Sequence, residues 1–187
     1  LAIEAAEAAV HCNSPAGAGA VLVIEIDGAA VEVAEEYAEV ERLCRDAGAF
    51  EQRLATEPVE RALIWKGRKS AFAAVGRISP DYIVQDGVIP RTALPRVLHA
   101  IGQLAADAGV RVANVFHAGD GNLHPLVLFD DDVPGQAERA ERVSGAIIDL
   151  CIEYGGSITG EHGVGMDKSK YMPRMYTDDD LDTMQLV

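Results

Sequence analysis

The sequence predicts an α+β fold, a largely antiparallel sheet with helices packed on one face. Short β-branched runs alternate with longer stretches of 3.6-residue apolar periodicity along the 187 residues. Two of the strand-like runs, "VRVANVFHAG" and "NLHPLVLFD", flank a tight glycine-rich turn and read as a hairpin, which favours an α+β sandwich over a doubly wound parallel sheet. The chain is 49% apolar, enough for a sizeable core at a length where roughly 70% of the unfolded surface can be buried.

"AVLVIEIDG", residues 20–28, is apolar and β-branched and closes on Asp-Gly, the pattern of a buried strand. Apolar positions at Val33, Tyr37, Val40 and Leu43 then mark a helix that Gly48 ends. "AFEQRLA" is a candidate second strand. "EPVERALIWKGRKSAFAAVGRI" reads as a longer helix with Pro58 in its first turn, where a missing N–H leaves no bond unmade. "DYIVQDGVIP" is short and β-rich, and "RTALPRVLHAIGQLAADAG" resumes as a helix closed by Gly109. Beyond the hairpin, "PGQAERAERVSGAIIDLCIEYGG" is a helix stopped by a glycine pair. "SITGEHGVG" opens with a brief strand, and the polar remainder ends inside what reads as another helix. The glycines of "GAGAVLV" precede a strand, whereas a dinucleotide fingerprint needs them after one.

The formal charge of −14, from 16 Lys and Arg against 30 Asp and Glu, argues against nucleic acid or an anionic membrane surface as partner. The acidic runs Asp130–Asp132 and Asp178–Asp180 read as solvated charge. Cys12, Cys44 and Cys151 are widely spaced, as expected of reduced, buried thiols in a cytoplasmic protein. No apolar run reaches the roughly 20 residues of a spanning helix, and no signal peptide opens the chain. The first residue is Leu and both ends enter helical pattern, so the expectation is one domain cut from a longer chain.

The hairpin carries the first candidate site. With Asp120-Gly121 as a two-residue type I′ turn, His117 lies directly opposite His124 on one face, with Cβ atoms about 4.5–5.5 Å apart. Two imidazoles so placed can share a divalent ion, or can merely stack. "TGEHGVG" then sets Glu161 beside His162 between glycines. Adjacent residues of an extended backbone face opposite ways, so one can complete a metal site while the other meets a reactant. A carboxylate with two imidazoles leaves an open coordination position, which makes Glu161 the natural third ligand and frees His162 as general base or acid.

These motifs resemble the C-terminal domain of FAD-linked oxidases, the family of glycolate oxidase, D-lactate dehydrogenase and D-2-hydroxyglutarate dehydrogenase. "HAGDGNLHP" and "GGSITGEHGVGMDKSKYMP" carry the resemblance, which extends to "AVLVIEIDG", "WKGRKSAF", "GRISPDY" and "DGVIPRTALP". It covers nearly the whole chain, residues 1–187, and its wording is nearest the glycolate oxidase branch. The resemblance implies a ferredoxin-like sheet that covers a flavin held by a separate N-terminal FAD-binding domain, absent from this sequence. By matched position it implies His117, His124 and Glu161 as ligands of a divalent metal (Zn, Mn or Fe), and His162 as catalytic base. Asn122 would face flavin and substrate, and Arg68 would pair with the carboxylate of a small 2-hydroxy acid. Electron-transfer subunits are possible partners, with peripheral membrane association through such a complex. The tail that usually follows "MQLV" is missing, and Ala73 stands where many relatives have Pro. Val84 and Leu126 replace polar residues of the hydroxyglutarate enzymes, which disfavours a longer dicarboxylate. Two other classes fit the same ligands less well: a stand-alone metal hydrolase, and a non-catalytic binding module.

Overall fold

The structure is a computed structural model and describes residues 1–186. The chain divides into two compact units, one of residues 3–71 and one running from Phe72 onward together with residues 1–2. The class is α+β, with an open, wholly antiparallel sheet.

The 3–71 unit holds most of α1 (Ala2–Val10), all of α2 (Ala30–Asp46) and most of α3 (Pro58–Val75). The expected strand over 20–28 is not formed. The segment is irregular, and Val21, Leu22 and Ile24 stand exposed. A strand needs a ladder partner for its N–H and C=O groups, and β-branched composition does not supply one. "AFEQRLA" forms no strand either. The helices follow their periodicity. α2 ends at Asp46, capped by Ala47 with Gly48 next, and α3 begins on Pro58. Glu7 ties the end of α1 to the chain that follows, accepting from the Ser14 amide at 2.7 Å and the Cys12 thiol at 3.3 Å.

The second unit is a layer of helices on a sheet. β1 (Asp81–Val84) and β2 (Gly87–Val88) run in line along one side of β4 (Asn122–Phe129), and β3 (Arg111–His117) lies along its other side. The register of β1 and β2 against β4 is continuous, so residues 85 and 86 fall opposite 125 and 124. The break between them coincides with Pro125, which has no N–H to give the ladder, although its carbonyl accepts from the Gln85 amide at 3.1 Å.

β4 is buried over seven of its eight positions. Its odd-numbered residues Leu123 and Val127 join Ile89, α4 (Leu94–Ala108) and α5 (Gln136–Glu153) in the main core. α4 contributes Val97, Ile101 and Ala105, and α5 contributes Ala140, Val143, Ile147 and Cys151, each set at the i, i+4 or i, i+3 spacing of one helix face. Gly109 closes α4 in the left-handed conformation, as expected. The even-numbered residues of β4 point to the opposite face. "SITGEHGVG" forms a single bridge, Val88 with Ser157, in place of the short strand expected there. α6 (Asp178–Met184) closes the described chain, with Thr177 and Asp180 as a reciprocal capping box.

Cys151 is fully buried, and burial, reinforced by nearby Asp86 and opposed by Lys168, pushes its thiol up to about 12. At pH 8 only roughly one molecule in ten thousand carries that thiolate, so the native protein is expected to leave one of its three cysteines unlabelled by a disulfide reagent. Cys12 and Cys44 are half-buried and should react first, and denaturant should release the third thiol.

Candidate metal and active site

The even face of β4 carries Asn122 and His124, and β3 delivers His117 beside them. The hairpin is not the two-residue turn expected from Asp120-Gly121. His117 pairs with Asn122 and Val115 pairs with His124, leaving residues 118–121 as a four-residue connection. The Asp120 amide closes its first turn on the His117 carbonyl at 3.2 Å. Gly121 supplies the positive φ of 73°, and its place against the Ile89 carbonyl admits no Cβ. Opposed residues therefore differ from the expected register by two, an even number. An even shift keeps both histidines on one face and makes them diagonal rather than direct neighbours. Their ring centroids lie 5.5 Å apart.

The turn after Ser157 brings Glu161 to this pair. Its carboxylate oxygens lie 3.7 Å from His117 Nε2 and 3.6 Å from His124 Nε2. One ligand atom from each of His117, His124 and Glu161 falls within 4.8 Å of the others, a spread that a single divalent ion could draw together. His162 stacks on His124, with ring centroids 5.1 Å apart and planes at 16°. Phe72 closes the edge of His124 at 6.0 Å. His124 is buried, while His117, Glu161 and His162 are exposed. Burial is the largest influence on His124 and lowers its pKa, outweighing the nearby carboxylates of Asp86 and Glu161. A neutral imidazole is the form that binds metals.

Asn122 is 3% exposed, its Oδ1 has no hydrogen-bond partner, and its side chain abuts Gly160. Arg68 is placed differently: it lies in α3 within the 3–71 unit, whereas the other five predicted site residues lie in the second unit.

Two contributors lie within the matched motifs but have no role in the sequence reading, Asp86 at the start of "DGVIPRTALP" and Lys168 in "GGSITGEHGVGMDKSKYMP". Asp86, opposite His124, is completely buried, and its carboxylate accepts from the Thr159 hydroxyl and the amides of Gly160, Glu161 and His162. Burial alone would raise its pKa, but those donors, the His162 amide foremost, hold it well below the ordinary carboxylate range. Lys168, also buried, donates to the Asp86 carbonyl at 3.2 Å. A signal for Asp86 exists in "YIVQDGVI", where one acid interrupts an apolar, strand-like run.

Fold and site together define a sheet-borne cluster of three histidines and two acids, built from the motifs that resemble the flavin-linked oxidases. The sequence profile described as FAD linked oxidases, C-terminal domain, matches residues 1–187, and the chain belongs to that family. It is 50% identical over its full length to the glycolate oxidase subunit GlcD of Escherichia coli K12, covering 38% of that protein. It is 34% identical over 171 residues to the GlcD protein of Bacillus subtilis, also named a glycolate oxidase subunit, covering 36% of it. Against the mitochondrial D-lactate dehydrogenase [cytochrome] of Arabidopsis thaliana it is 27% identical over 168 residues, 30% of that protein. The chain thus spans between 30% and 38% of these relatives, and their names lend no support to the hydrolase reading.

A Cβ at Gly160 would lie 2.8 Å from the buried Asn122 amide, whereas one at Gly119 meets nothing within 4 Å. Gly160→Ala should therefore cost about 1–3 kcal/mol in chemical denaturation, the usual range for overpacking. Gly119→Ala should leave the midpoint unchanged.

Proposed function

We propose that this chain is the substrate- and metal-binding domain of a flavin-dependent 2-hydroxy acid dehydrogenase or oxidase, of glycolate or D-lactate type. It would work with an FAD-binding domain of the same full-length chain. The observation that carries the reading is the convergence of His117 Nε2, His124 Nε2 and the Glu161 carboxylate, with His162 stacked alongside. Two imidazoles and a carboxylate suit a catalytic zinc, manganese or iron ion, because they leave coordination positions for substrate.

His117, His124 and Glu161 hold the metal in this reading. When bound, the ion acts as a Lewis acid toward the substrate's hydroxyl and carboxylate oxygens. His162 takes the hydroxyl proton; it stands outside the ligand set and is exposed, so substrate can reach it. Arg68, assigned from its place in "WKGRKSAF", forks onto the substrate carboxylate. Asn122 faces the flavin and substrate with an amide that has an acceptor to spare. FAD, held mainly by its own domain, supplies the hydride-accepting chemistry. Val84 and Leu126 pair across β1 and β4 on the same face as His124, offering no polar partner for a second carboxylate, which favours a small monocarboxylate.

The glycolate oxidase relatives are named as subunits, which supports a multi-subunit assembly, and we assign the flavin's electrons to a partner protein there. No helix among the described residues is long and apolar enough to cross a membrane. Three free thiols accord with a cytoplasmic site of action, with membrane contact made peripherally through the complex.

In the full-length enzyme, His162→Ala is expected to lower kcat roughly 10²–10⁴-fold, the usual worth of a general base, with metal content unchanged by elemental analysis. Loss of metal instead would exchange the roles of base and ligand. Residues 1–187 purified alone should be colourless, and stoichiometric flavin on them would overturn the division of labour.

A further inference from the structure

We infer that Asp86 is the positioning residue of this site, setting the tautomer of His124 and the aim of the Glu161–His162 turn at once. The inference rests on the metal-site reading for its consequence, but its geometry stands on observations of its own. Asp86 falls opposite His124 in the continuous register of β2 and β1 against β4, so both side chains leave the same face. Its Oδ2 takes the Thr159 hydroxyl at 2.7 Å and the amides of Gly160, Glu161 and His162 at 2.9, 3.0 and 2.8 Å. Its Oδ1 takes only the Glu161 amide, at 3.2 Å, and faces His124 Nδ1 at 3.8 Å.

That second oxygen decides the chemistry of the ring. His124 Nδ1 is buried and has no hydrogen-bond partner. A neutral imidazole carries one donor and one acceptor nitrogen, and a carboxylate can only accept. Nε2 also faces a carboxylate, the exposed Glu161 at 3.6 Å, but Nδ1 is the nitrogen sealed from solvent against the buried Asp86, so the proton belongs on Nδ1 and the lone pair is left on Nε2. Metal-bound histidines commonly carry such a carboxylate on the other nitrogen, which fixes ring orientation and raises ligand basicity.

The first oxygen governs the turn. Three consecutive amides converging on one carboxylate oxygen make an anion nest whose anion is a side chain of the protein. They hold residues 160–162 so that Glu161 reaches the His117–His124 pair while the His162 ring stacks on His124. Asp86 also lies within metal-binding reach of His124 and His162. Four donors on Oδ2 leave it little capacity for an ion there, so Asp86 acts through His124 and the turn. Lys168, its Nζ 3.7 Å from Oδ2, gives the buried carboxylate its countercharge.

The test has two arms in the full-length protein. With selective ¹⁵N-histidine labelling of the metal-free wild type, His124 should appear as the Nδ1–H tautomer, and an Nε2–H tautomer overturns the inference. This arm needs no substitution at Asp86, so it decides even if such a variant fails to fold. In the second arm, Asp86→Asn should weaken Co²⁺ binding roughly 10–100-fold, the usual effect of losing such a partner, while Co²⁺ affinity unchanged in a folded Asp86→Asn overturns the inference. His117→Ala separates the two readings. If it too binds Co²⁺ like wild type, the metal assignment fails, and the His124 tautomer alone judges Asp86.

Discussion

Leu123 and Val127 of β4 pack toward α4 and α5, while Asn122 and His124, between and beside them in the chain, point the other way. Strand alternation thus splits one eight-residue segment between core and chemistry. Pairing on both flanks gives the segment its stiffness: β3 brings His117 along one side, and the β1–β2 line brings Asp86 along the other. The helices cover the odd face, while the even face is apolar and buried at Leu126 and Leu128 and polar only at Asn122 and His124. The chemistry on the even face is therefore held by the same pairing that builds the core.

A buried acid between two short strands is costly unless its charge is met. Here it is met by amides of a turn that has almost no regular structure of its own, only the Val88–Ser157 bridge. The exchange serves both parties. The carboxylate gains donors, and an irregular segment gains the fixed geometry that a strand or helix would otherwise provide. Exposed Glu161 and His162 can then be accessible to a reactant and still be well placed, because their main-chain amides are anchored on a buried carboxylate.

Much of this is legible in the residues themselves. The helix periodicities, the Gly109 cap and the hairpin follow from local spacing, while the meeting of Glu161 and His162 with His117 and His124, a long-range contact, is legible only from residue chemistry and the motifs they sit in. The turn length does not, because Ala118-Gly119-Asp120-Gly121 offers more than one glycine-compatible connection and the choice is made by Gly121 seating against the Ile89 carbonyl. The site is insensitive to that difference only because the register moves by an even number. Residues 20–28 mislead for a different reason: β-branched composition reports fitness for a sheet, not the presence of a neighbouring strand. Asp86 escapes local reading because its role depends on a partner 38 positions away and a turn more than 70 away.

The bare segment "AVLVIEI" has a practical side. It is a run of β-branched and aliphatic residues with one charge and no proline, and Val21, Leu22 and Ile24 are open to solvent. Such a run is the usual seed of intermolecular cross-β stacking. Glu25, engaged with Arg61 in an ion pair, is the lone gatekeeper within it. Concentrated solutions of this chain will therefore tend to aggregate through a stretch remote in sequence from the histidines, and colloidal behaviour and chemistry can be altered independently.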